Sequence, residues 1–308
     1  IERGNRLVLR WRLIFAAIII APLVGLIVAD FHYNFGAPGI LLAPVGIVVG
    51  LLAAGEILGM LKRQGHAPVV WPVYTGITLI LVAACAPLGW QLAGVAYPVA
   101  CPLGELGWPL AAAALAIGLV FVGEIMRYEQ PGGVIVNVAL GMFVTMYVGV
   151  LLVFLVELRF FGSNEQGMTA LVSLLFIAKI SDAGAYFCGK LCGRHKLAPK
   201  ISPGKTIEGA VGGLVAACLA SWVYFQFIAP QILGPAASPS PLWGVLLYGA
   251  IIAIAGILGD LSESLLKRDL GSKDSSTWLP GLGGVLDILD SILAAAPPAF
   301  VCWVAGIV

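Results

Sequence analysis

The sequence is short of charge. Only 11% of its 308 residues are Asp, Glu, Lys or Arg, against 60% hydrophobic, whereas a soluble domain carries about 25% charged residues. That scarcity excludes an ordinary water-soluble globule. A zinc-stapled fold is excluded too, because Cys188-x3-Cys192 has no second Cys or His pair at metal-ligand spacing. Most of the cysteines (Cys85, Cys101, Cys188, Cys192, Cys218 and Cys302) lie in or beside apolar runs and read as small buried side chains. A Cys85–Cys101 disulfide stays open should that loop face an oxidising compartment. The chain shows neither a short fixed-period repeat nor a matched pair of broken helices of the transporter type. The first apolar run, Trp11–Ala29, follows Arg3, Arg6 and Arg10 without a clear small-residue cleavage site, so it reads as a first span and not as a cleaved signal. The net charge of +1 points to no class of partner, and no nucleic-acid partner is expected.

What is abundant is apolar length. Repeated apolar runs of about 20 residues each can cross a bilayer, and they predict an all-α, polytopic integral membrane protein of about nine spans. Their expected places are roughly residues 12–29, 38–61, 69–86, 108–126, 133–157, 167–189, 208–228, 242–262 and 285–307. With the N-terminus in the cytoplasm, fifteen of the seventeen Lys and Arg residues fall on inner segments, Arg159 lying outside and Lys179 within a span. That asymmetry orients the chain by the positive-inside rule. It predicts a multi-pass protein of the inner (plasma) membrane. The expected organisation is an N-terminal part, 1–160, of about five spans, and a C-terminal part, 161–308, with cytosolic loops 190–207 and 263–284.

Residues 1–160 carry little chemistry. Glu56 and Glu124 each stand near the inner end of a span, shortly before Lys62–Arg63 and Arg127. Either they pair with those bases or they touch a lipid headgroup. The Pro- and Gly-containing 87–107 stretch reads as an irregular external loop, and Trp11, Trp71, Trp90, Trp108 and Tyr128 recur near span ends as in an interfacial belt.

The polar stretch 260–290 reads DLSESLLKRDLGSKDSSTWLPGLGGVLDILD. Ionisable residues at the ends of membrane helices usually line a polar site, because a charge near the bilayer centre costs several kcal/mol. Asp287 and Asp290 are three apart and share a helical face. Carboxylates suited to Mg²⁺, with Lys267 and Lys273 nearby in sequence, point to phosphoryl chemistry at a membrane surface. The order Ser264-x-x-Lys267-Arg268, four residues, Lys273-Asp274, then Leu279-Pro280-x-x-Gly283-Gly284-x-x-Asp287 and finally Asp290 resembles the 27-residue signature of the phosphatidate cytidylyltransferases (CDP-diacylglycerol synthases). It departs from that signature at Leu282, where the family usually has His, and at Ile288, where it usually has Arg.

Two upstream blocks strengthen the resemblance. Lys179, Asp182 and Tyr186 fall at spacings of three and four on one helical face. They form either a neutralised structural pair or a polar wall of the active cavity. The segment Asp182-x-x-Ala185-Tyr186-x-x-Gly189 is similar to a block of the same family. The run Ser202-Pro203-Gly204-Lys205-Thr206-Ile207-Glu208-Gly209 is not a P-loop, since Pro199 stands where G-x4-G-K-[ST] needs Gly. It reads as a turn leading into a helix whose N-terminus suits phosphate. It also resembles the family's second hallmark, where it is linked to nucleotide binding.

The resemblance covers roughly 179–290 and implies transfer of the cytidylyl group of CTP to phosphatidate, giving CDP-diacylglycerol and pyrophosphate in phospholipid biosynthesis. An active site at the cytosolic membrane interface is expected, with Asp260, Asp287 and Asp290 as Mg²⁺ ligands and a second cation such as K⁺ left open. Lys205, Lys267 and Asp287 carry the catalytic expectation. Asp182, Ser202, Lys205, Thr206, Ser264, Lys267, Arg268 and Lys273 are the expected contacts to nucleotide and lipid phosphates. Each carboxylate has the alternative of merely pairing with Lys267, Arg268 or Lys273. The other functional readings are a CTP-dependent enzyme acting on an ether-linked phosphatidate or a polyprenol, a homologue that has lost catalysis, or a transporter or scaffold on the same fold. Membrane lipid is the expected environment, and a homodimer is what the resemblance suggests.

Overall fold

The computed structural model describes residues 20–98, 101–234, 239–276 and 283–308. Arg3, Arg6, Arg10, Trp11, Arg12, Leu279, Pro280 and Leu282 lie outside the described residues. The described chain is helical apart from one small hairpin. In order come α1 (Ile20–His32), α2 (Leu42–Arg63), α3 (Val70–Ala84), α4 (Ala86–Leu92), α5 (Gly104–Arg127), α6 (Val134–Val144) and α7 (Leu151–Phe160). They continue with α8 (Asn164–Cys192), β1 (Lys196–Ala198), β2 (Ser202–Thr206), α9 (Ile207–Val223), α10 (Ala229–Leu233), α11 (Leu242–Asp269) and α12 (Val285–Val304). Two wide π-helical turns interrupt otherwise continuous spans, Thr145–Val150 between α6 and α7 and Tyr224–Ile228 between α9 and α10.

Seven helical stretches among the described residues are long and apolar enough to cross a bilayer, and α3 with α4 makes an eighth if that pair, bent by 44°, counts as one span. The seven and the bent pair coincide with the second to ninth expected spans, and α1, a shorter apolar helix, overlaps the end of the first, most of which lies outside the described residues. Large apolar side chains stay exposed along them, among them Leu110, Leu115, Ile135, Leu219 and Ile254. Water would penalise that pattern, whereas a hydrocarbon surround does not. The protein is an all-α, multi-pass membrane protein.

The residues gather into two compact units, 1–156 with 270–288 and 157–269 with 289–308. In the first, Ile57, Met60, Ile77, Ile80 and Val148 are fully buried. Asp30 accepts from the Gly39 and Leu41 amides at 3.0 Å each and so holds the entry to α2. Glu124 accepts from the Arg127 guanidinium at 3.0 and 3.1 Å, which is the pairing reading of that residue, and also from the Val69 amide at 3.4 Å. Cys85 and Cys101 are not joined by a disulfide.

The second unit begins with a capping box. The Ser163 hydroxyl accepts from the Gln166 amide, and Gln166 accepts in return from the Ser163 amide, which satisfies two amide donors at the start of α8. Its core holds Leu174, Ile177, Ile252 and Leu293. Two buried tyrosines are satisfied internally, Tyr224 donating to the Thr169 carbonyl at 2.9 Å and Tyr248 meeting Ser173 at 2.9 Å, as buried polar groups in hydrocarbon require. Small residues let helices approach closely. A Cβ on Gly259 of α11 would collide with the Asp290 carbonyl and come within 2.6 Å of the Ala294 Cβ on α12. Asp290 is therefore held against α11.

Candidate active site

In the second unit, α11 carries Asp260 and Glu263 and α12 carries Asp290. One carboxylate oxygen from each lies within 4.8 Å of the others. Glu263 and Asp290 are buried. The hairpin brings a cation to the cluster, with the Lys205 ammonium of β2 2.6 Å from Asp260. One turn beyond Glu263, Lys267 stands 2.6 Å from its carboxylate, and the side chains of this pair are only 12% and 1% exposed. Burying two charges this deeply is unfavourable unless they are paired, so the cluster is a built polar site. Three carboxylates and two ammonium groups leave it with one net negative charge.

Local folding explains the hairpin. Lys196 pairs with Thr206 and Ala198 with Ser202 in an antiparallel ladder. The expected turn is therefore a short strand that runs directly into α9, and Thr206 is its cap, accepting from the Gly209 amide at 3.1 Å. Glu208 folds back over the approach to β1. It accepts from the Arg194 and His195 amides at 3.0 and 3.1 Å and meets the His195 ring at 2.6 Å. Arg268 donates from Nε to the Ile201 carbonyl at 3.1 Å, a second link between α11 and the hairpin. The Ser264 hydroxyl is 3.4 Å from Asp260.

The Lys179–Asp182 pair exists, at 3.2 Å, and it is also tied to the acidic cluster. The Ser291 hydroxyl donates to Asp182 at 3.0 Å and accepts from Lys179 at 3.3 Å, while the Ser291 amide donates to Asp290. The pair is thus a neutralised contact joined to Asp290 through Ser291. Tyr186 is exposed and lies under the Lys190 ammonium, 5.8 Å from the ring centroid.

Asp287 belongs to the first unit. Its Oδ2 accepts from the Ser275 amide at 3.1 Å, the Ser275 hydroxyl at 2.7 Å and the Gly284 amide at 2.7 Å. Beside it, Glu56 accepts from the Ser275 and Ser276 hydroxyls and the amides of Val285 and Leu286, so these donors take up its carboxylate in place of Lys62 and Arg63. Lys273 and Asp274 are exposed on the same loop. The structure therefore brings Asp260, Asp290, Lys205, Lys267 and Ser264 together in one unit, with Ser202 and Thr206 on the same hairpin as Lys205. Asp287 and Lys273 sit in the other unit.

Sequence reasoning missed Glu263 as a candidate ligand. The signal was available, since Asp260, Glu263 and Lys267 fall at spacings of three and four on one helical face. The donor set fits a hard divalent cation. Mg²⁺ takes oxygen ligands, and three clustered carboxylates repel one another without positive charge among them.

Comparisons with known proteins bear on the family. An uncharacterized protein of Escherichia coli K12, YnbB, is 43% identical over 139 residues, 45% of this chain and 44% of that protein. A protein of Haemophilus influenzae named phosphatidate cytidylyltransferase is 40% identical over 132 residues, 43% of this chain and 44% of that protein. A Bacillus subtilis protein of the same name is 39% identical over 152 residues, 49% of this chain and 53% of that protein. The chain thus aligns with about half the length of these curated relatives. A family model spans far more, matching residues 11–305, so the likeness extends through the N-terminal helices that the three sequence blocks left out. With that match over nearly the whole chain, the protein belongs to the cytidylyltransferase family.

Proposed function

We propose that the protein transfers the cytidylyl group of CTP to phosphatidate, forming CDP-diacylglycerol and pyrophosphate for phospholipid synthesis. The observation that carries this reading is the Asp260–Glu263–Asp290 cluster, its Glu263 and Asp290 buried, with Lys205 and Lys267 set into it. The relatives named phosphatidate cytidylyltransferase support the choice of substrates.

A phosphate oxygen of phosphatidate attacks the α-phosphorus of CTP. The bond between that phosphorus and the bridging oxygen to the β-phosphorus breaks, and pyrophosphate leaves with the electron pair. No covalent enzyme intermediate is required, because the lipid phosphate is an adequate nucleophile. Lys205 and Lys267 are point charges for the phosphates of CTP. Thr206 uses a lone pair to cap α9 and keeps its hydroxyl hydrogen for a phosphate oxygen, and Ser202 and Ser264 offer further hydroxyls. Arg268, beside the hairpin backbone, is assigned to the lipid phosphate. Asp260, Glu263 and Asp290 would hold Mg²⁺, which when bound supplies positive charge for the transferring phosphate and the leaving pyrophosphate. Asp287 and Lys273, in the first unit, keep the metal-ligand and phosphate-contact roles that the family resemblance implies, and a second cation such as K⁺ is compatible with the reading.

The reading includes nine spans, a cytoplasmic N-terminus, a site on the cytosolic face of the inner membrane and a homodimer. The concentration of basic residues on inner segments supports that orientation. The test is pyrophosphate release by detergent-purified protein, with CTP, phosphatidate and Mg²⁺ each omitted in turn. Dependence on all three is the expected result. Release from an ether-linked or polyprenol acceptor in place of phosphatidate would reassign the lipid, and silence with every acceptor would refute the enzymatic reading.

A further inference from the structure

Glu56 has no part in the chemistry above, yet its carboxylate is as fully engaged as any group in the first unit. Oε1 accepts from the Ser276 hydroxyl at 2.8 Å and the Val285 amide at 2.9 Å. Oε2 accepts from the Ser275 hydroxyl at 2.9 Å and the Leu286 amide at 2.9 Å. Three donors hold the carboxylate throughout, and the Ser275 hydroxyl, shared with Asp287, is a fourth for its four lone-pair sites. Two of them are first-turn amides of α12, which no intrahelical carbonyl can serve. A negative charge there also complements the positive end of the helix dipole.

The contact is long-range and specific. Glu56 lies on α2, and its partners follow 219 to 230 residues later. Ser275 links it to Asp287, because the same hydroxyl lies 2.7 Å from Asp287 and 2.9 Å from Glu56, donating to one at a time. Further along the chain from Glu56, Gln64 donates to the Leu270 carbonyl at 3.0 Å. The α2 segment therefore grips the signature loop near its start and at its end. Gly284 has no room for a side chain, since a Cβ there would collide with both the Glu56 carboxylate and the Ser275 hydroxyl.

We propose that Glu56 is a positioning residue for nucleotidyl transfer, fixing the start of α12 and, through Ser275, the Asp287 carboxylate. The inference rests on the CTP-dependent reading above. A cap that served stability alone would lower the folded fraction and leave the kinetics of the folded protein unchanged. A positioning group acts on the chemical step, where a misplacement of about 1 Å can cost about a hundredfold in rate.

The experiment compares wild type, Glu56→Gln and Ser276→Ala in detergent, by steady-state kinetics per folded molecule and by amide exchange of peptides covering residues 283–290. For Glu56→Gln, kcat should fall about thirtyfold with KM for CTP and phosphatidate within about threefold. Exchange in those peptides should rise about tenfold as one of the Val285 and Leu286 amides loses its acceptor and meets the new NH2 donor instead. Ser276→Ala removes one donor and should show a smaller loss of kcat in the same direction. Wild-type kcat in folded Glu56→Gln overturns the proposal, as does a rise in KM with kcat unchanged. Should Glu56→Gln fail to fold, an unchanged kcat in Ser276→Ala overturns it equally. Absence of pyrophosphate release from wild type instead overturns the functional reading, and the exchange measurement still tells the two failures apart.

Discussion

Replacing Asp290 by Asn should make the protein more stable in the absence of divalent cations while abolishing turnover. The three carboxylate oxygens lie within 4.8 Å of one another, so each pair repels by at least about 3.5 kcal/mol at an effective dielectric of about 20. Asp290 takes part in two of the three pairs, for a total of about 7 kcal/mol. Its neighbours have their own counter-charges, Lys205 on Asp260 and Lys267 on Glu263. Asp290 itself makes no ion pair among the described residues, and its recorded hydrogen bond is from the Ser291 amide, which Asn can still accept. After the two lysines and solvent cancel the larger share, a residual of about 2 kcal/mol is enough to raise the unfolding midpoint by about 4 °C. The assay is thermal unfolding of both proteins in detergent, with EDTA and with Mg²⁺, beside pyrophosphate release. Wild type should gain stability from Mg²⁺, whereas Asp290→Asn should start higher, gain little and show no turnover. A variant that unfolds below wild type in EDTA, or that keeps its Mg²⁺ response and activity, would refute the electrostatic reasoning.

Asp287→Asn should leave a folded protein, since the amide oxygen can still accept from Ser275 and Gly284 where Oδ2 does, with pyrophosphate release reduced at least about a hundredfold through loss of the carboxylate charge; near-normal release would remove Asp287 from the site. Gly284→Ala should destabilise by about 2 kcal/mol or more, read as a lower unfolding midpoint, since the new methyl meets the Glu56 carboxylate and the Ser275 hydroxyl. Lys205→Met should raise KM for CTP by about tenfold, measured by initial rates, through loss of a phosphate-facing charge on the hairpin.

The helices were legible because apolar length in a bilayer is a strong signal, and the second to ninth expected spans each have a long apolar helix or the bent pair at their place. Span ends were less legible. Hydropathy stops α11 near residue 262, yet the helix runs to Asp269, because hydrogen bonding and the Glu263–Lys267 pair continue it past the apolar core. That is why Glu263 read as one more loop charge and not as a neighbour of Asp260. The β1–β2 hairpin was hidden for another reason. Ser-Pro-Gly-Lys-Thr looks like a turn locally, and its strand character depends on pairing with Lys196–Ala198. Glu56 read as a partner for nearby lysine and arginine because its real partners lie more than two hundred residues away, beyond the reach of any spacing argument. The twin glycines of the signature, by contrast, were visible, and the structure supplies the reason for the second of them.

The two π turns change what a deletion means in this protein. An α-helix advances 100° per residue, so removing one residue from an ordinary stretch of a span swings everything beyond it by more than a quarter turn. A wide turn is where the ladder has absorbed an extra residue. Loss of one residue within Thr145–Val150 or Tyr224–Ile228 can close that turn into regular α-helix and leave both flanking halves facing their present neighbours. Among the described residues, these two segments are the places within the spans where chain length can change by one while the membrane-facing and core-facing stripes keep their phase.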